Sequence, residues 1–146
     1  VIGRGIALGI LVLAVTQPTS PEDIARGRLA ACPNSPNCVS SQAEPEDKVH
    51  FIEALPADGD SNATLARLQQ IIASTARTRI VSSGDGYLHA EYTSRIFRWV
   101  DDVELLADPA ADAIQVRSAS RTGYGDLGAN RSRVEELREA LAGASG

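Results

Sequence analysis

The sequence predicts an α+β domain: a single, mainly antiparallel sheet of about four to five strands packed by two helices, with an irregular N-terminal segment holding one small disulfide loop. Three observations predict it. Apolar residues recur at helical spacing in two stretches, Leu65 to Ala76 and Val134 to Leu141. Between them lie β-rich runs separated by Gly, Asp and Pro turn clusters. The only two cysteines, Cys32 and Cys38, bracket a turn-forming stretch of Pro, Asn and Ser. At 146 residues the chain has room for one ordinary domain and not for two.

Taken in order, residues 1–16 read as a signal peptide or a short membrane tether. Arg4 precedes the uncharged apolar run Ile6–Val15. A spanning helix needs roughly 20 such residues and a secretory apolar region only about 7–15, so the run fits the second better. Residues 17–31 read as a polar connector with Pro18, Pro21 and room for one helical turn near Ile24. Leu29-Ala-Ala-Cys32 imitates a lipoprotein-processing box, but Glu22, Asp23, Arg26 and Arg28 separate it from the apolar run, so no lipid is expected on Cys32. Residues 32–142 form the expected single domain.

Within it, Val49–Leu55 has strand character and stops at Pro56. Asp60, Ser61 and Asn62 offer caps for a helix whose stripe is Leu65, Leu68, Ile71, Ile72 and Ala76. Arg79–Val81 leads through the turn cluster Ser82–Gly86 into Tyr87–Thr93, where Leu88, Ala90 and Tyr92 share a face. Phe97 and Trp99 fall out of phase with Leu88, so a bulge near Ser94-Arg95 is expected to return them to the core face. Asp101-Asp102 reads as a break before Val103–Leu106. After a turn at Asp108–Asp112, Ile114, Val116 and Ser118 alternate along a last strand. Val134, Leu137 and Leu141 stripe the closing helix, with Ser132 and Glu135 at capping-box spacing and Asn130 as the other cap. The expected order is β-α-β-β-β-β-α.

Charge excludes one class of partner. Lys and Arg number 14 against 19 Asp and Glu, a net charge of −5, and no basic block occurs, so nucleic-acid binding has no electrostatic source. The cysteines fit a structural disulfide best, with free thiols and metal or redox chemistry as alternatives. Redox work favours C-x-x-C and haem attachment C-x-x-C-H, and neither occurs. Zinc needs two further ligands, and His50 and His89 stand at spacings unlike zinc modules. No metal and no cofactor is expected. Gly123-Tyr-Gly-Asp-Leu-Gly128 matches a dinucleotide fingerprint, but the chain ends after the next helix, so no second parallel strand follows. Asn62 and Asn130 begin glycosylation sequons that read better as helix caps.

The candidate site is polar. His89, Glu91, Arg95, Arg98, Asp101 and Asp102 lie along one β segment, and Arg117, Ser118, Arg121, Asp126, Asn130 and Arg131 follow the last strand. Where the two strands are neighbours, His89 and Glu91 come near Arg117 or Arg121. Such a set is a solvated face with cross-strand ion pairs, a ligand or anion site, or an acid–base site in which a carboxylate orients an imidazole. No nucleophile stands out, since Ser94, Ser118 and Ser120 lack an elbow or triad context.

Three blocks carry a resemblance: Cys32-Pro-Asn-Ser-Pro-Asn-Cys38-Val-Ser-Ser41; Tyr87–Arg95 with Phe97 and Trp99–Glu104; and Arg117–Arg121 with Gly123, Asp126, Gly128, Asn130-Arg131 and Arg133. Together they resemble the family called Domain of Unknown Function 1499, found in bacteria and plastid-bearing organisms. The resemblance implies an exported or membrane-associated protein and brings no activity, cofactor or catalytic residue. The expectation is an exported, periplasmic or envelope-associated module without catalysis that binds a small anionic ligand, an envelope component or a protein partner, with membrane association through residues 1–16. The alternative is a hydrolase or isomerase using His89 and Glu91 as acid–base groups.

Overall fold

The structure, a computed structural model, describes residues 16–144, so the apolar leader lies outside the described residues. Six strands form one sheet: β1 (Cys38–Ser40), β2 (Leu55–Pro56), β3 (Thr78–Gly84), β4 (Tyr87–Thr93), β5 (Val100–Asp108) and β6 (Ala113–Ser120). Their order is β1-β6-β5-β4-β3, with β2 also paired to β6, and every strand pair is antiparallel. The β3–β4 turn is Asp85-Gly86, both residues at positive φ (52° and 74°), the mirror-type turn that matches strand twist and favours Gly at its second position.

Helices α2 (Ser61–Ala73) and α3 (Ala129–Ala144) pack on one sheet face. Asp60 caps α2 by accepting from Ala63 N at 2.9 Å. The cap of α3 is neither expected residue. Asp126 accepts from Gly128 N (2.9 Å) and Asn130 N (3.0 Å), so the helix begins three residues before Ser132. Leu65, Leu68 and Ile72 of α2 and Val134, Leu137 and Leu141 of α3 meet Leu88, Ala90, Val103, Leu105, Ile114 and Val116 in one core. Burying each such side chain contributes about 1.5–3 kcal/mol before chain entropy.

Three local expectations are corrected. Val49–Leu55 is not a strand: only Leu55–Pro56 pairs with β6, and the three-residue β1 pairs at its other end. Asp47 decides this, because its Oδ1 accepts from Val49 N and His50 N (both 3.2 Å) and turns the chain. The bulge falls in β3, between Ile80 and Ser82, and not at Ser94-Arg95. There β4 ends, and residues 94–99 form a hairpin loop closed by Ser94 N to Trp99 O (2.8 Å) and Trp99 N to Ser94 Oγ (2.9 Å). Asp101 and Asp102 do not break the strand; both are buried inside β5.

Residues 16–31 cross the second sheet face. The short helix α1 (Pro21–Ala25), capped by Ser20, brings Ile24 and Leu29 against Tyr87 and Leu106. The Cys32–Cys38 disulfide, with Cα atoms 5.6 Å apart, ties the end of this segment to β1. Closing its seven-residue loop contributes roughly 2.4 kcal/mol on the chain-entropy model.

His50 braces that loop. Its Nδ1 lies 2.6 Å from Asp47 Oδ2 and its Nε2 3.0 Å from the Ser35 carbonyl, so both ring nitrogens face acceptors and both donate only in the imidazolium. Burial lowers the His50 pKa, but Asp47 and the Ser35 carbonyl outweigh it and leave the pKa raised. The sign follows: this contribution is complete below the unfolded value near 6.5 and is lost as pH rises through the raised folded value. The urea midpoint is therefore expected to fall between about pH 6 and pH 8, and the fall to shrink in Asp47→Asn. A slope identical in the variant would remove His50 from the account.

Candidate functional site

The register places the polar residues on both sheet faces. His89↔Glu104↔Arg117 and Glu91↔Asp102 are cross-strand neighbours on the face covered by residues 16–31. Asp101, Ser118 and Ser120 point to the helical face, where Asn130 and Arg133 of α3 meet them.

On the covered face, Glu104 is fully buried and accepts three bonds: Thr19 N (2.6 Å), Tyr87 Oη (2.6 Å) and Arg117 Nη1 (2.7 Å). Burial, then the Glu104 carboxylate, pushes the Tyr87 pKa well up, so Tyr87 remains a donor. Among the described residues, Arg117 Nε is a buried side-chain polar atom with no partner.

Beside it, Asp102 accepts from His89 Nε2 (2.8 Å) and from Arg121 Nη2 and Nε (2.7 and 3.1 Å). Arg121 also reaches Glu91 (2.9 Å), and Arg79 closes the row on Glu91 (2.7 Å). Burial raises the Asp102 pKa, but the bonds from His89 and Arg121 outweigh it and hold the carboxyl below its usual range. The Arg121 bond, first, also holds Glu91 low. His89 and Glu91 are thus joined only through Asp102 and Arg121.

On the helical face, buried Asn130 accepts from Ser118 Oγ (2.6 Å) and donates to Ser120 Oγ, Asp126 Oδ2 and the Asn37 carbonyl. Arg133 pairs with Asp101 (2.7 Å) and lies over the Tyr92 ring, 4.8 Å from its centroid. Burial pushes the Tyr92 pKa up to about 12. Asn130 is too buried to be a glycosylation acceptor. Arg131 stands apart, bonding the Val49 carbonyl at 3.1 Å. Arg95 and Arg98 are exposed in the 94–99 loop, away from both networks.

Among the described residues, clefts of about 280 to 460 Å3 indent the surface, and none of the five most distinct has His89, Glu91, Asp102, Glu104 or Arg121 in its wall. One, of about 450 Å3, runs along the disulfide loop past Asp47 and His50. His50 has no free lone pair there while it donates to both acceptors. Another, of about 460 Å3, opens at one end of the sheet between the 94–99 loop and residues 122–127. Phe97 and Trp99, stacked with centroids 4.8 Å apart, and Leu127 form its apolar wall. Asp101, Ser120, Asp126 and Arg133 lie in its polar part. Phe97, Trp99 and Leu127 are 68%, 59% and 107% exposed, as are their loop neighbours Ile96 and Tyr124 (80% and 76%). Sequence reasoning missed this site by assigning Phe97 and Trp99 to the core. The available signal was the phase slip itself, which a hairpin loop satisfies as well as a bulge does.

Among the described residues no three His, Cys, Asp or Glu side chains gather in a way that could hold a metal ion, and no helix is long and apolar enough to cross a membrane. These features define the class: a disulfide-stapled α+β domain with a helix-backed antiparallel sheet, an internally paired polar face and an open aromatic cleft. The chain belongs to the family described as "Protein of unknown function (DUF1499)", whose model matches residues 28–141. No curated protein and no solved structure matches it.

Proposed function

We propose that this domain is a non-catalytic binding module of an exported or envelope-associated protein, and that it binds an amphiphilic ligand in the cleft at the sheet end. The observation that carries the reading is the cleft's make-up: large apolar side chains held in water around a polar floor. Monomeric proteins rarely leave contiguous apolar patches exposed without a binding role, and ligand sites combine apolar walls with a few placed polar groups. The disulfide supports an oxidising compartment.

The sheet-face arginines do not favour an anion site, since Arg117 and Arg121 are already paired with Glu104, Asp102 and Glu91. Acid–base work at His89 gains no support either. The ring is buried, its Nε2 is held by Asp102, and no described cleft reaches it.

The probe is the aromatic sulfonate 8-anilinonaphthalene-1-sulfonate, used as a monomer. Trp99 is the chain's only tryptophan, so energy transfer from it reports the probe in the cleft. Phe97→Ser with Leu127→Ser is expected to weaken probe binding at least about tenfold, since each buried apolar side chain is worth about 1.5–3 kcal/mol. The unfolding midpoint should hold, because exposed substitutions usually stay within about 0.5 kcal/mol. Unchanged binding in the double variant would defeat the proposal.

A further inference from the structure

We infer that the cleft end of the sheet docks on the surface of an anionic lipid bilayer, with the 94–99 loop set into the headgroup region. The inference rests on the reading of the cleft as the binding end, and names the surface that supplies its amphiphile.

Three independent observations converge on it. The first is chemistry. Ile96, Phe97 and Trp99 are exposed on one loop, and Tyr124 and Leu127 on the loop across the cleft. Aromatic rings with aliphatic neighbours favour the membrane–water boundary, where the ring body leaves water and its polar edge does not.

The second is charge. Arg95 and Arg98 alternate with the apolar residues of the 94–99 loop, both are exposed, and neither pairs with an acid among the described residues. The chain as a whole carries −5, so this unneutralised pair is a local reversal of sign. The acid in the facing loop is engaged: Asp126 Oδ2 accepts from Asn130 N and Nδ2. Two free guanidinium groups beside exposed aromatic side chains complement phosphate-bearing headgroups.

The third is where the chain enters. Thr16 donates from N to the Arg121 carbonyl (3.3 Å) and from Oγ1 to the Ser120 carbonyl (2.8 Å), at the end of β6. Arg121 N in turn bonds the Val100 carbonyl, where β5 leaves the 94–99 loop. The apolar stretch Ile6–Val15 therefore joins the domain at the same sheet end as the exposed aromatic residues. A bilayer held near that junction meets the Arg-aromatic loops first. A protein partner would account for the apolar residues, but not for their meeting both unpaired arginines and the apolar stretch at one end.

The test uses the full chain and vesicles of phosphatidylcholine with or without phosphatidylglycerol, read by Trp99 emission and by quenchers attached to the lipid chains. The anionic vesicles are expected to shift Trp99 emission to the blue and expose it to lipid-borne quenchers. In Arg95→Gln/Arg98→Gln the lipid concentration for half-maximal quenching should rise about thirtyfold, the combined effect of two charges near an anionic surface. Trp99 that stays in water while the protein sediments with vesicles overturns the inference, because the chain is then held by another segment. Trp99 that inserts equally into neutral vesicles, unaffected by the Arg changes, overturns it too. Either failure leaves the cleft reading intact as long as the monomeric probe still binds at Phe97 and Leu127.

Discussion

Glu104→Ala should destabilise the domain by about 3–5 kcal/mol, the cost of removing one member of a buried ion pair. The substitution strands three groups at once. Arg117, itself buried, keeps its charge and loses its counterion, while Tyr87 Oη and Thr19 N lose their acceptor. Arg117 starts from a weak position, since its Nε already has no partner. Glu104→Gln should fall between wild type and Ala. Its amide retains one acceptor oxygen but turns an N–H towards one of three donors. Replacing both members, Glu104→Leu with Arg117→Met, should recover the part of the loss that comes from the stranded Arg117 charge, but not the part that comes from Thr19 N and Tyr87 Oη, which still lack their acceptor. Urea unfolding measures all three. Hydrogen exchange locates the effect: the Thr19 amide should lose protection first, since its acceptor is Glu104 itself. If the single and double variants lose the same stability, the pair is not the source of the effect.

The elements that were legible in the sequence are those set by local chemistry. The stripes Leu65-Leu68-Ile72 and Val134-Leu137-Leu141 are spaced for one helix face, and Asp85-Gly86 is a turn by residue type alone. What was not legible depends on distant partners. Val49–Leu55 has the apolar content of a strand, yet the Asp47 carboxylate takes the amides that pairing would have used. Asp101 and Asp102 look like a polar break, because their partners, Arg133 and Arg121, lie 32 and 19 residues away. The polar residues along β4 and β5 look like a solvated face, yet Glu104 is closed in by the crossing of residues 16–31 and Asp101 by α3 on the other face. Of the candidate set, Asp101 and Asp126 line the cleft, and Arg95 and Arg98 belong to the loop beside it. The aromatic wall itself was hidden because alternation assumes a straight strand, and β4 stops at Thr93.

Asn130→Asp should be the more telling of two substitutions at the centre of the helical-face network, because its cost should depend on pH. In the native chain Asn130 Nδ2 donates to Asp126 Oδ2 at 2.8 Å, and Asn130 N donates to the same oxygen at 3.0 Å. Burial raises the Asp126 pKa, but these bonds, the backbone one first, outweigh it and hold the carboxyl low. Asp126 therefore adds stability above its unfolded value of about 3.9, lost as pH falls through the lower folded value. Asn130→Ala removes the acceptor of the Ser118 hydroxyl and a donor to Ser120, two buried groups at about 1–3 kcal/mol each, so a loss of about 2–6 kcal/mol is expected at neutral pH. Asn130→Asp preserves the shape and the bonds that Oδ1 accepts from Ser118 Oγ and Arg133 Nη1 (2.9 Å), but it replaces the Nδ2 donor with a carboxylate oxygen set against Asp126. Two like charges at that distance cannot both stay ionised without cost, so one pKa of the pair must rise. The sign then reverses: the Asp variant should gain stability relative to wild type as pH falls below about 5, and by more than the Ala variant, which gains only what wild type loses when the Nδ2 bond to Asp126 is protonated away. Urea midpoints across that range separate the two. Asp126 caps α3 and lines one side of the cleft, so probe binding at Phe97 and Leu127 should weaken in Asn130→Asp at neutral pH and recover on acidification. A cleft that ignored the charge at position 130 would show that the 122–127 loop is held independently of the helix cap.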